Sequence, residues 1–132
     1  MLKWDHKYNL GHTKIDAEHK IFLGLIIEFQ EVSIQRAPRD KQLRLLSEVI
    51  KYAEFHFLSE ENLMEDFNYP DKEHHKALHQ SLLAECKNKL HEFRHETISA
   101  DEVFEFLFQW FALHTSSEDK KLVGSIGNSL KQ

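Results

Sequence analysis

Only two prolines, Pro38 and Pro70, and four glycines interrupt a chain of 132 residues. So few breakers leave little room for a turn-rich β architecture. Between the breaks, apolar residues recur at steps of three and four. Ile15, Phe22, Ile26 and Phe29 precede Pro38; Leu46, Val49, Ile50, Ala53, Phe57, Leu63 and Met64 lie between the prolines; Leu78, Leu82, Cys86, Leu90 and Phe93 follow Pro70. That period marks amphipathic helices. Asp16 can cap the first, and Ser99-Ala100-Asp101-Glu102 reads as a capping box opening a fourth. The pattern predicts helices over about 16–36, 39–66, 71–93 and 99–115. Short connections make sequential helices antiparallel neighbours, so the expected fold is all-α, an up-down-up-down antiparallel four-helix bundle in one domain. Residues 1–15, with Trp4, Tyr8, Leu10 and Ile15, should form a packed N-terminal arm. Residues 116–132, with Gly124 and Gly127, should hold one short helical turn before fraying.

The charge balance narrows the partners. Seventeen basic against 22 acidic residues leave a net charge of -5 with no basic cluster, which disfavours nucleic acid and anionic membrane alike. Ile21–Ile27, interrupted by Gly24, is too short to span a bilayer. The single cysteine, Cys86, cannot form an intrachain disulfide and reads as a small core residue. The start, Met1-Leu2-Lys3-Trp4-Asp5-His6, lacks the apolar stretch of a signal peptide. A cytoplasmic protein is expected.

Ten histidines and one misplaced acid carry the functional signal. The heptad series Leu46, Ala53, Glu60, Phe67 puts the Glu60 carboxylate on the stripe that faces the core. A bare charge there costs on the order of several kcal/mol unless something positive meets it. His56, four residues earlier, lies about 40° away on the same face. His75 and His79 form a second four-residue pair on an apolar stripe, but His91 and His95 repeat that spacing, so spacing alone decides nothing. Topology does decide. In an up-down-up-down bundle the start of the first helix, the end of the second, the start of the third and the end of the fourth meet at one level. That level receives His19, His56 with Glu60, His75 with His79, and His114. His91 and His95 fall at the opposite end, where solvent and the helix C-terminus account for them. Asp119 stands five after His114, about 140° away on a regular helix. If it joins the group, the fourth helix must distort or end near Thr115-Ser116-Ser117, whose hydroxyls can bond freed carbonyls. Taken singly, Asp16 is a cap, His74 is solvated or behind a ligand, Trp110 is a core residue, and His6 and His12 have no assigned role.

In order along the chain, these residues resemble the hemerythrin family. The likeness rests on Trp4-Asp5, Gly11, Ile15-Asp16-Ala17-Glu18-His19, His56-Phe57-Leu58-Ser59-Glu60-Glu61 with Met64, Tyr69-Pro70, His75-Lys76-Ala77-Leu78-His79, and Trp110 to Asp119. The resemblance implies two iron ions, His75, His79 and His114 on one, His19 and His56 on the other, with Glu60 and Asp119 bridging them beside an oxo or hydroxo bridge. Two six-coordinate metals offer twelve positions; five histidines, two bridging carboxylates and one bridging oxygen fill eleven. The open position falls on the two-histidine iron and implies dioxygen as ligand. Phe22, Phe57 and Phe111, with Leu23 nearby, would line that oxygen pocket. Glu18 stands where the family often has Gln, Ile27 where Asn is frequent, and Phe111 where Leu is usual; none of these removes a ligand.

An apolar pocket favours binding over bond cleavage. The expected function is therefore reversible dioxygen binding for transport, storage or delivery, without enzymatic turnover. The rival readings are an oxygen or redox sensor acting on a partner or output domain, and a diiron enzyme acting on peroxide or nitric oxide.

Overall fold

The computed structural model describes residues 4–130; positions 1–3 of the expected arm and 131–132 of the expected tail lie outside the described residues. After a 3-10 turn at His6–Tyr8, four long helices follow: α1 Thr13–Ile34, α2 Arg39–Asp66, α3 Lys72–Arg94 and α4 Ala100–His114. A π-helical turn, Thr115–Asp119, joins α4 to a fifth helix, α5 Lys120–Leu130. α1 packs on α2 and α4, and α3 packs on α2 and α4, which closes an antiparallel four-helix bundle.

Two expectations need correction. The first helix begins at Thr13 because His12, not Asp16, caps it: the Ile15 amide donates to His12 Nδ1 at 3.2 Å. Asp16, already in the first turn, turns its carboxylate outward to accept the amides of Leu10 (2.8 Å) and Gly11 (3.0 Å). The acid therefore ties the arm to the helix, and Gly11 makes the bend with φ +96°. The tail, expected to manage one turn, is an 11-residue helix. Leu122 and Ile126, one turn apart, are buried against Ile15, Met64 and Tyr69. That burial outweighs the poor helix propensity of Gly124 and Gly127.

The first three long helices stop in the same manner. Arg36, Asn68 and Glu96 take left-handed conformations, with φ of 56°, 50° and 63°. The next amide in each case, of Ala37, Tyr69 and Thr97, donates five residues back to Val32, Met64 and Glu92. This is the Schellman termination, which satisfies the last helical carbonyls and turns the chain sharply. α4 opens as its capping box predicts, the Glu102 amide donating to Ser99 Oγ at 3.2 Å.

Two apolar clusters divide the interior. The larger draws Phe22, Phe29, Leu46, Ala53, Phe93 and Leu107 among others from all four bundle helices, with Trp4 and Tyr8 of the arm against it. The smaller joins Ile15, Met64, Tyr69, Leu122 and Ile126. Between them lies a buried polar layer. On α1, His19 falls between Ile15 and Phe22; on α2, Glu60 falls between Phe57 and Met64; His114 and Asp119 fall between Phe111 and Leu122. Apolar packing above and below thus fixes the height at which the polar side chains meet.

Candidate metal centre

Each of the seven polar residues singled out from the sequence is buried in this layer. Glu60 and His75 are fully buried, and His114 is the most exposed at 7%. They form two groups that share their carboxylates: Glu60, His75, His79, His114 and Asp119 in one, His19, His56, Glu60 and Asp119 in the other. One oxygen of each acid serves each group. Glu60 Oε1 lies 3.0 Å from His79 Nε2 and 3.4 Å from His75 Nε2, whereas Oε2 lies 3.4 Å from His56 Nε2 and 3.8 Å from His19 Nε2. Asp119 Oδ1 lies 3.1 Å from His75 Nε2 and 3.0 Å from His114 Nε2, whereas Oδ2 lies 2.9 Å from His19 Nε2.

Only two of these approaches are hydrogen bonds, His79 Nε2 with Glu60 Oε1 and His75 Nε2 with Asp119 Oδ1. The Nε2 atoms of His19, His56 and His114, with Glu60 Oε2 and Asp119 Oδ2, are buried without a hydrogen-bond partner. Native interiors seldom strand so many polar atoms in one place. Three unpartnered imidazole nitrogens beside two unpartnered carboxylate oxygens fit a pair of cations, which would satisfy all five at once.

Asp119 reaches the layer through the π-helical turn. The wider turn brings residue 119 back under residue 114, against the rotation that a regular α-helix imposes over five residues. Ser116 and Ser117 Oγ donate to the Leu113 carbonyl at 3.3 and 2.9 Å, consistent with hydroxyls bonding a carbonyl freed by the distortion.

The electrostatics run in the same direction. Burial opposes charge on His56, but the Glu60 carboxylate and the bond to Glu18 outweigh it and push the imidazole up to about 10. His75 is likewise buried, yet Asp119 and Glu60 push it up to about 9. Against its own burial, His19 is raised by the approach of Asp119 and Glu60. Glu60, despite complete burial, is held well below the usual carboxylate range by His56, His19 and His75. Asp119 is also held low, its contacts with His114, His19 and His75 overcoming burial and the nearby Glu60 charge. The layer is thus built to concentrate positive charge between two ionised acids.

The profile described as the hemerythrin HHE cation binding domain matches residues 10–126. The chain belongs to the hemerythrin family. Bacteriohemerythrin of Stenotrophomonas maltophilia (strain R551-3) is 26% identical over 134 residues, covering 100% of this chain and 86% of the relative. Myohemerythrin of Theromyzon tessulatum is 26% identical over 124 residues, covering 94% and 92%. The crystal structure of a wild-type hemerythrin shares the fold, with a TM-score of 0.85 at 22% identity over 95% of this chain and 97% of that one. No helix among the described residues is long and apolar enough to cross a membrane.

One of the three phenylalanines expected together does not line the small cavity beside the two-histidine group. That cavity, with no room for a water molecule, is lined by His19, Phe22, His56, Trp110, Phe111, His114, Thr115 and Asp119. Phe22 and Phe111 are there, but Phe57 is not. Its ring lies flat on His79, with centroids 4.1 Å apart and planes 9° apart, on the three-histidine side. Trp110 and Thr115 complete the wall in its stead. Helical spacing places a residue at a level but does not choose between two sides of a site only a few ångströms across.

Sequence reasoning left the partners behind the histidines unassigned. Glu18, only 6% exposed, accepts the Nδ1–H of His56 at 2.8 Å and the hydroxyl of Ser59 at 2.8 Å. Glu61 faces His79 Nδ1 at 3.2 Å. A signal for Glu18 was available, since the steps from Ile15 to Glu18 to Phe22 place a second acid on the buried stripe of α1. The remaining histidines stand apart. His91 and His95 are exposed, with rings 4.3 Å apart at the far end of α3, and exposed His74 is 3.9 Å from Glu118.

Proposed function

We propose that this protein holds two iron ions joined by an oxo or hydroxo bridge and binds dioxygen reversibly. The observation that carries the reading is the sharing of Glu60 and Asp119, each with one oxygen beside histidines of the three-histidine group and the other beside the two-histidine group. His75, His79 and His114 would hold one iron, His19 and His56 the other. Mixed imidazole and carboxylate donors suit iron, and the relatives' names point to the same class of site. With the bridge, the first group reaches six donors and the second five, which leaves one position open beside Phe22 and Phe111.

When bound, the ferrous pair supplies the electrons for reversible dioxygen binding. The chain's own part is to shape and dry the position where the gas arrives. Phe22, Trp110 and Phe111 close over it, and the lining offers no ionisable side chain besides the ligands themselves. Without a further acid to deliver protons, release of the gas competes well with cleavage of its bond. The reading is thus a binding protein for transport, storage or delivery rather than an enzyme. Its setting would be the reducing cytoplasm, in which the buried thiol of Cys86 stays free.

Anaerobic reduction followed by spectroscopic titration with dioxygen tests this directly. The expected result is two irons per chain and an oxygenated form that returns to the reduced form under vacuum. Continuous turnover with no stable oxygenated form would instead mark an enzyme. Loss of paired iron in Glu60→Ala tests the bridge, and a variant that kept both irons coupled would refute it.

A further inference from the structure

The two ligand groups are not backed alike. Behind the three-histidine group, His79 faces Glu61, a side chain 28% exposed, across 3.2 Å. Behind the two-histidine group, His56 donates its Nδ1–H to Glu18 across 2.8 Å, and that side chain is 9% exposed. Glu18 is also anchored: its other oxygen accepts the Ser59 hydroxyl at 2.8 Å. His56 and Ser59 sit three residues apart on one face of α2 and grip a single acid of α1 between them. His19 and His75 have no partner at Nδ1.

A carboxylate can only accept from an imidazole. Glu18 therefore fixes the His56 tautomer with its proton on Nδ1, which leaves the Nε2 lone pair directed into the centre. A charged acceptor also makes the ring a stronger electron donor than an amide acceptor would, because the Nδ1–H bond polarises toward the carboxylate. Ser59 moderates this by drawing charge onto the opposite oxygen. We propose that Glu18, acting through His56, is a positioning residue that strengthens donation to the two-histidine iron and favours its ferric state. Ser59 sets how strongly it does so.

The proposal rests on the diiron reading, and redox titration with dithionite separates the two. If the wild-type protein lacks a two-iron centre that takes up and releases dioxygen, the diiron reading fails, and this proposal falls with it. Given that centre, Glu18→Gln keeps size and an acceptor oxygen but removes the charge. The midpoint potential of the iron pair should move to a more positive value at unchanged iron content. Ser59→Ala removes the competing donor and should move the potential in the negative direction. A merely structural grip would shift both variants the same way or leave both unmoved, and either result overturns the proposal. Should Glu18→Gln fail to load iron, Ser59→Ala decides alone: a negative shift supports the proposal, and no shift or a positive one overturns it.

Discussion

His114 Nε2 lies 3.0 Å from Asp119 Oδ1 although five residues separate them, a spacing that a regular α-helix would spread by about 140°. The π-helical turn at Thr115–Asp119 removes that rotation. Asp119, like Glu60, is shared by both ligand groups, so its charge should matter to both cations the groups would hold. Asp119→Asn is expected to weaken metal retention by more than about 10–100-fold, the loss usual for partners one step further from a metal. Metal-to-protein ratios after dialysis against a chelator, with far-ultraviolet circular dichroism to show the helices intact, measure this. Full retention would remove Asp119 from the ligand set.

The raised histidines make the metal-free protein sensitive to alkali. A group whose pKa rises on folding stabilises the fold below its unfolded value and loses that contribution as pH climbs through its folded value. With an ordinary histidine value of 6.5, His75 raised to about 9 and His56 raised to about 10 define the window. Stability of the metal-free form should fall between about pH 6.5 and 10. Cations and protons compete for the same nitrogens, so metal uptake should release protons and tighten over that range. Denaturant midpoints with and without metal, together with proton release in weakly buffered solution, test both halves. A metal-free protein equally stable at pH 7 and pH 10 would contradict them.

The level at which the ligands meet was legible because it depends only on helical period, the two prolines and bundle topology. Even the distortion before Asp119 could be anticipated, since five-residue spacing and a shared face are incompatible on a straight helix. What stayed hidden depends on contacts between distant segments or on competition between local ones. The α5 helix exists because Leu122 and Ile126 find Ile15, Met64 and Tyr69, a pairing that no local propensity encodes. Asp16 has the chemistry of a cap, but His12 is better placed to cap, and the acid instead bonds the arm's amides. The link from Glu18 to Ser59 spans 41 residues and becomes visible only when α1 lies against α2.

Docking of α5 is expected to be a matter of burial. Leu122 is fully buried beside Ile15 and Met64, three residues beyond Asp119. Leu122→Ala should cost about 2–5 kcal/mol, the usual penalty for emptying a core leucine site. It should also loosen Asp119, because the smaller cluster holds the polar layer from below. Thermal unfolding reports the first effect, and faster loss of metal to a chelator reports the second. A destabilised variant with unaltered metal retention would show that the π-helical turn holds Asp119 without help from α5.

Helix termination offers a gain rather than a loss. Arg36 ends α1 at φ 56° with an exposed side chain. A left-handed conformation costs an L-residue roughly 1–2 kcal/mol that glycine avoids, although glycine gives back part of this through its freer unfolded chain. Arg36→Gly is expected to stabilise the fold by about 0.5–1 kcal/mol at unchanged metal content. A higher denaturant midpoint with the same slope would bear this out, and a lower midpoint would mean that the arginine makes a compensating contact.

Phe111 walls the small cavity beside the two-histidine group. Its ring is met edge-on by Tyr8 at 5.7 Å, His19 at 5.8 Å and Phe22 at 5.9 Å, so it cannot swing aside without disturbing the arm or α1. The cavity it walls has no room for a water molecule. A small ligand bound for the position proposed to be open would have to wait for a fluctuation of this aromatic cluster. Phe111→Leu shortens the wall while keeping it apolar, at a stability cost of about 1 kcal/mol. Azide, a small anion that can ligate a metal without electron transfer, should then bind the oxidised, metal-loaded protein faster if it enters past Phe111, as followed by stopped-flow absorbance. Because entry and exit share the path, association and dissociation should quicken together and leave the equilibrium constant nearly unchanged. An unaltered association rate would place the barrier elsewhere, with Trp110 and Thr115 the remaining parts of the wall that do not belong to the ligand set or to α1.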